Sequence, residues 1–243
     1  MKLTIIGQWG GYPAPGGATS AYLIEKDNFS LLVDAGSGSL SNLQKYKEVM
    51  DLDAVVLSHY HHDHVADIGV LQYAWLVNSY VTGHDEILPI YGHAEDKKGF
   101  ESLTHNCTEG IAYDPNEELK IGPFTLAFQR TKHSVPCFGM RISDGESEIV
   151  YTADTTFTED WYGFVKDTDL LITDCNFYAG QDGSKAGHMN SSDGATIARE
   201  ADAGELILSH LPQYGNNSDL VNEAKEIFTG IVHLAEAGLT WEK

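Results

Sequence analysis

The densest chemistry in the chain is the run Ser58-His59-Tyr60-His61-His62-Asp63-His64, which follows the apolar stretch 54–57. Four potential metal ligands, His59, His61, Asp63 and His64, fall within six residues. Imidazole and carboxylate are the donors that zinc takes at catalytic centres. In an extended turn His59 and His61 point to one side, while Asp63 and His64 reach a second position. One tetrahedral ion would be crowded by four ligands from so short a loop, so two ions sharing the loop fit better. A chance polar loop is a poor alternative, because unpaired His and Asp at this density are costly to bury.

Three further residues end apolar runs or follow them closely. His133 follows 124–131, Asp154 follows 149–153 and His210 follows 206–209. In open α/β sheets ligands gather beyond the carboxyl ends of strands. Each residue alone has an ordinary reading, Asp154 as a turn cap and His210 as a satisfied core histidine, but the first cluster tips them towards metal. Asp34, at the end of another apolar run, can orient a ligand histidine or make an Asx turn. The Gly-rich stretch 10–17 lacks the Gly-Lys-Ser/Thr ending of a phosphate loop and reads as a loop bordering the site. His62 reads as a spacer, and His84, His93, His105 and His233 as ordinary histidines.

The order His59-x-His61-x-Asp63-His64, His133, Asp154, His210 resembles the metallo-β-lactamase-fold hydrolases, and within them the ribonuclease Z-like branch. The likeness runs from Leu31-Leu32-Val33-Asp34-Ala35-Gly36 to His210. It implies an α/β fold, the αββα four-layer sandwich, with the site at one edge between two sheets. It implies one divalent ion held by His59, His61 and His133, a second by Asp63, His64 and His210, and Asp154 bridging both. Zinc is the first choice, with Mn2+ or Fe2+ as alternatives. A hydroxide between the ions would be the nucleophile, and two ions ~3.5–4 Å apart would clamp the attacking and leaving oxygens. Asp63 counts among the catalytic residues as well as the ligands.

A further feature of the branch is a carboxylate supporting a histidine that protonates the leaving group. Thr173-Asp174-Cys175-Asn176 and Gly187-His188-Met189-Asn190 match it, which makes His188 and Asp174 catalytic candidates. The branch carries Glu where this chain has Asp174, so the shorter carboxylate must reach farther. A carboxylate–imidazole pair is a sound general acid.

Elements must position these residues. Apolar runs bounded by turn residues predict strands at 3–6, 21–24, 31–33, 54–57 and 89–91. A second series runs through 124–128, 139–142, 148–152, 170–173, 206–208 and 231–234. Helical spacing is expected over 65–77, from Val65, Ile68, Leu71, Ala74, Trp75 and Val77, and over 191–201 with Ser191 or Ser192 as N-cap. Residues 93–120 read as a helix and a loop. The pattern is mixed α/β. The repeat of apolar-apolar-apolar-Ser-His at 55–59 and 206–210 is either chance or a mark of two related halves.

Composition bounds the rest. The 243 residues carry no low-complexity linker, so a single domain over 1–243 is expected. No apolar run reaches the ~18 residues of a membrane helix. Residues 1–7 are too short for a signal-peptide core, so a cytoplasmic protein without membrane association is expected. The three cysteines form no CxxC pair, which points away from disulfides and cysteine zinc sites. A net charge of -21 argues against a nucleic-acid partner, which needs clustered Lys/Arg, but leaves a small anionic substrate open. A homodimer is left open.

The expected function is that of a dinuclear metal-dependent hydrolase, a phosphodiesterase acting on a small phosphodiester. Lactonase, thioesterase, other ester hydrolysis and tRNA 3′-processing on the same metals are the alternatives, the last weakened by the acidic surface and the lack of a tRNA-gripping arm. A diiron redox protein would carry Glu at the position of His61 and an appended flavin domain.

Overall fold

Each apolar run in the two predicted series forms a strand. In the computed structural model, which describes residues 1–243, the elements begin β1 (Lys2–Gly7), β2 (Ala21–Lys26), β3 (Phe29–Val33), α1 (Ser39–Leu43), β4 (Ala54–Val56) and α2 (His62–Val65). They continue with α3 (Ile68–Thr82), β5 (Leu88–His93), α4 (Lys97–Glu101), β6 (Thr108–Tyr113), β7 (Leu119–Ile121), β8 (Phe124–Arg130) and β9 (Phe138–Ser143). The last are β10 (Glu148–Tyr151), α5 (Asp160–Val165), β11 (Leu170–Asp174), α6 (Ser191–Glu200), β12 (Glu205–Ser209), α7 (Ser218–Lys225), β13 (Ile231–Leu234) and β14 (Thr240–Glu242). No helix is long and apolar enough to cross a membrane.

The chain forms two units. The first comprises Met1–Asp114, Ile121–Pro123 and Glu236–Lys243. Its sheet has the order β14-β1-β2-β3-β4-β5-β6, antiparallel as far as β3 and parallel from β3 to β6. Leu23, Leu32, Val55 and Ile90 from this sheet pack with Leu40 and Leu43 of α1 and with Leu71 and Trp75 of α3 in one buried cluster. Burying each Leu or Ile contributes about 1.5–3 kcal/mol. α3 spaces Ile68, Leu71, Gln72, Trp75 and Ser79 along its buried side. The expected helix therefore runs five residues past 77, and Val77 faces outward rather than into the core.

The second unit comprises Pro115–Lys120 and Phe124–Ala235. Its sheet has the order β13-β12-β11-β10-β9-β8-β7 and is parallel from β10 to β13. β11, Leu-Leu-Ile-Thr-Asp, is buried at every position, as an interior parallel strand covered on both faces must be. α6 lays Gly194, Ala195, Ile197 and Ala198 inward. Its N-cap is Asn190, one residue before the expected serines, with Asp193 completing a capping box.

The two sheets share a plan of seven strands in which antiparallel pairings lead into three parallel ones. On that plan β3 corresponds to β10, β4 to β11 and β5 to β12. The repeated apolar-Ser-His string lies on β4 and β12, which are not corresponding strands. The halves are alike in topology, and the local sequence echo does not mark it. β6 and β7 went unpredicted because β6 buries only Thr108 and Tyr113 among its six residues and β7 has three residues in all.

Candidate metal centre

In the first unit the chemistry sits beyond the carboxyl ends of the parallel strands β3 and β4. Asp34 follows β3 at φ 58, a left-handed conformation that costs a non-glycine residue energy and persists where the surroundings over-determine it. His59 lies three residues beyond Val56, and His61 is the N-cap of α2, which carries Asp63 and His64. The structure brings all four together. The His59 ring centroid lies 4.8 Å from that of His61 and 4.1 Å from that of His64, and His64 Nε2 lies 3.7 Å from Asp63 Oδ2. His59 and His64 are fully buried, whereas His62 is exposed, as a spacer should be.

One carboxylate sets the tautomers. Asp34 Oδ1 accepts the Ser58 N–H at 2.8 Å, and Asp34 Oδ2 lies 2.8 Å from Ser58 Oγ and 2.7 Å from His64 Nδ1. Ser58 has a single hydroxyl proton and donates it to Asp34, so at His59 Nδ1, 3.0 Å away, Ser58 Oγ is an acceptor. Both rings then carry their proton on Nδ1 and present the Nε2 lone pair. That arrangement is the one in which metal-binding histidines are held. Of the two readings of Asp34, the orienting role is the one the contacts support. Gly11 N–H donates to Asp63 Oδ2 at 2.7 Å, so the Gly-rich loop does border these residues. Gly36 cannot be larger, since a Cβ there would stand 2.0 Å from Asp63 O.

In the second unit Asp154 follows β10, Asp174 ends β11 and His210 follows β12. Ala153 at φ 52 and His210 at φ 54 are again left-handed, and Asn176 Nδ2 pins the His210 carbonyl at 2.9 Å. Asp154 is buried and turns its oxygens to different histidines. Oδ2 lies 3.7 Å from His133 Nε2, and Oδ1 lies 3.3 Å from His210 Nε2. His133 Nδ1 donates to Gly187 O at 3.1 Å, which leaves its Nε2 as a lone pair. Burial, the largest influence, lowers the His133 pKa and keeps the ring neutral. Gly187, at φ 81, must be glycine, because a Cβ would lie 2.7 Å from His133 Nδ1.

These donors fit divalent cations. A carboxylate oxygen and an imidazole lone pair are both acceptors, so their approach calls for a positive charge between them. Two donors each ~2.0–2.2 Å from one tetrahedral ion stand roughly 3.4 Å apart. The separations of 3.3 and 3.7 Å at Asp154 match that spacing.

Asp174 and His188 form a separate pair in the same unit. His188 Nδ1 lies 2.8 Å from Asp174 Oδ2, and Asp174 Oδ1 lies 3.5 Å from His210 Nδ1. The shorter carboxylate reaches its histidine. Burial would raise the Asp174 pKa, but the charge and hydrogen bonds of His188 and His210 outweigh it and hold the acid ionised. Burial would likewise lower His188, and the Asp174 charge outweighs it, so its pKa is raised. Ligand atoms of Asp154, Asp174, His188 and His210 all lie within 4.8 Å of one another.

Sequence reading left four supporting groups without a role. Ser58 and Asn176 stood inside the quoted motifs, whereas the Gly11 N–H and the Gly187 carbonyl are backbone groups with no signature of their own. His93, read as ordinary, is fully buried at the end of β5 with Tyr60 bonded to its carbonyl at 2.8 Å.

Comparison with known proteins agrees with the fold. Residues 30–211 match the β-lactamase superfamily domain. The probable metallo-hydrolase YhfI of Bacillus subtilis is 53% identical over 243 residues, covering 100% of both chains. The crystal structure of YhfI, a metallo-β-lactamase fold protein, superposes with a TM-score of 0.98 at 51% identity over 100% of this chain and 99% of that one. A ribonuclease Z of Metallosphaera sedula is 26% identical, over 94% of each chain. Human tRNase Z, short form, has the same fold at a TM-score of 0.78 and 20% identity, covering 100% of this chain and 99% of that one. The chain therefore belongs to the β-lactamase superfamily and, within it, to the metal-dependent hydrolases of the metallo-β-lactamase fold.

Proposed function

We propose that this hydrolase is a dinuclear phosphodiesterase of small phosphodiesters. The observation that carries the reading is the Asp174–His188 pair, an ionised buried carboxylate bonded at 2.8 Å to a histidine whose pKa it raises. A protonated imidazole held in that way suits the expulsion of an alkoxide, which needs a proton as the ester bond breaks. Likeness to a ribonuclease Z over nearly the whole chain supports phosphodiester chemistry over lactone or thioester hydrolysis.

In this reading His59, His61 and His133 hold one ion, Asp63, His64 and His210 hold the second, and Asp154 serves both. Imidazole and carboxylate donors suit zinc, with Mn2+ or Fe2+ as alternatives. Bound there, the ions would lower the pKa of a water and neutralise phosphate charge. The protein's own part is orientation. Asp34 and Ser58 hold the His59 and His64 rings, Gly187 holds His133, and Asp174 holds His188 with its Nε2 directed to the leaving oxygen.

The partner is a small molecule rather than a nucleic acid, because the net charge of -21 repels a long polyanion. Three free cysteines support a cytoplasmic location. A screen of the purified protein against chromogenic phosphodiesters, lactones and thioesters, with zinc and manganese, tests the reading. It expects turnover of the phosphodiesters. Robust lactone or thioester hydrolysis without phosphodiester turnover would contradict it.

A further inference from the structure

Successive side chains of an extended segment point to opposite sides, so the residue between two ligands that face an ion faces the fold. Tyr60 is that residue. The rings of His59 and His61 lie 4.8 Å apart by centroids, while Tyr60 packs against the apolar core of the first unit. Its hydroxyl donates to His93 O at 2.8 Å, at the end of β5. Two glycines leave room for the ring. A Cβ at Gly92 of β5 would collide with Tyr60 Oη, and one at Gly99 of α4 would collide with Tyr60 Cγ. Neither glycine stands at a positive φ, so each supplies space rather than backbone conformation. Glycine is a poor helix former, and the packed ring explains its presence inside α4.

A second tyrosine holds the same loop one step upstream. Tyr113, the last residue of β6, is buried and donates its hydroxyl to Leu57 O at 2.9 Å. The fully buried His93 lies between the two tyrosines. Its imidazole is T-shaped to both, with centroids 4.8 Å from the Tyr60 ring and 6.3 Å from the Tyr113 ring. Such edge-on aromatic contacts have a preferred geometry, so the three rings fix one another's orientation. The loop after β4 is thereby fastened on both sides of His59, at Leu57 and at Tyr60.

We propose that Tyr60, His93 and Tyr113 form a positioning wedge that sets the spacing of His59 and His61 and so the affinity of the ion they hold. This rests on the assignment of His59, His61 and His133 to one ion under the proposed function. A loop already fixed in the binding geometry loses less freedom when the ion enters, and the saved ordering appears as affinity. The other ion depends on a different support, since Asp34 holds His64 at 2.7 Å. The wedge therefore acts on one ion and spares the other.

Cobalt(II) binding to metal-stripped protein tests the wedge, because the visible absorption of cobalt reports the geometry of each site. His61→Ala identifies the first ion: the band and the binding step that it removes belong to that site. Tyr60→Phe keeps the ring and loses the bond to His93 O. In chelator competition it should weaken that step about 10-fold, shift its band and leave the other step unchanged. Tyr113→Phe should act in the same direction. Tyr60→Leu removes the ring as well and should weaken the step about 100-fold. Circular dichroism checks folding, and the two phenylalanine variants decide the matter if Tyr60→Leu does not fold. If His61→Ala removes no ion, the ligand assignment fails and the wedge fails with it. If His61→Ala removes one ion but the phenylalanine variants leave its affinity and band unchanged, or weaken both ions equally, the wedge alone is overturned.

Discussion

Asp174 ties His188 to His210, holding Nδ1 of the first at 2.8 Å with one oxygen and standing 3.5 Å from Nδ1 of the second with the other. A single buried carboxylate thus sets the proton affinity of the candidate acid and the orientation of a candidate ligand. Removing the histidine and removing the carboxylate should therefore have different signatures.

His188→Ala should retain the wild-type metal content and lose about 10²–10⁴-fold in kcat on a phosphodiester, the usual worth of a general acid. Asp174→Ala should lower kcat less and should also weaken metal binding through His210. Turnover and elemental analysis on the same samples separate the two. Metal loss in His188→Ala would make that histidine a ligand.

The pH dependence follows from the same pair. Asp174 raises the His188 pKa, so the protonated acid persists to higher pH, and activity falls as pH rises through that raised value. Asp174→Asn removes the charge, and the alkaline limb of the kcat profile should move to lower pH. An unmoved limb would show that another group supplies the proton.

Asp154→Ala should deplete both ions, since its two oxygens face different histidines. His62→Ala, an exposed spacer, should leave metal content unchanged. Equal depletion in the two variants would refute the ligand assignment.

Ser58→Ala removes the acceptor that fixes the His59 tautomer. Metal affinity, read by chelator competition, should fall about 10–100-fold, as for other lost partners of ligating histidines. An affinity unchanged within error would show that Ser58 only packs.

The candidate ligands and the two series of strands stood out in the sequence because each has a local signature. Candidate ligands crowd the loop after β4, and the interior parallel strand β11 opens on the apolar run Leu170-Leu171-Ile172. What escaped is long-range or carried by backbone. Asp34 gave two readings until the fold placed Ser58 and His64 on its oxygens. The Gly11 N–H and the Gly187 carbonyl have no side chain to read. Val77 lies across the helix from Ile68 and Trp75, on the side of α3 that the fold leaves exposed. The short Asp174 looked mismatched to His188 because side-chain length was visible and the positions of β11 and of the loop before α6 were not.

Substrate size should separate local attraction from global repulsion. Two divalent ions would attract one phosphate, whereas a tRNA must lay many phosphates against a surface with 36 acidic and 15 basic residues. A small chromogenic diester should turn over efficiently, and precursor tRNA should not, with the contrast greatest at low salt. Efficient tRNA cleavage would contradict the proposed substrate class.

The proposed function requires a two-ion centre that hydrolyses phosphodiesters. Titrating zinc into chelator-stripped protein while following turnover of a chromogenic phosphodiester tests it most directly. Activity should rise to a plateau at two equivalents per chain; a plateau at one equivalent, or two ions bound with no phosphodiester turnover, would contradict the two-ion centre.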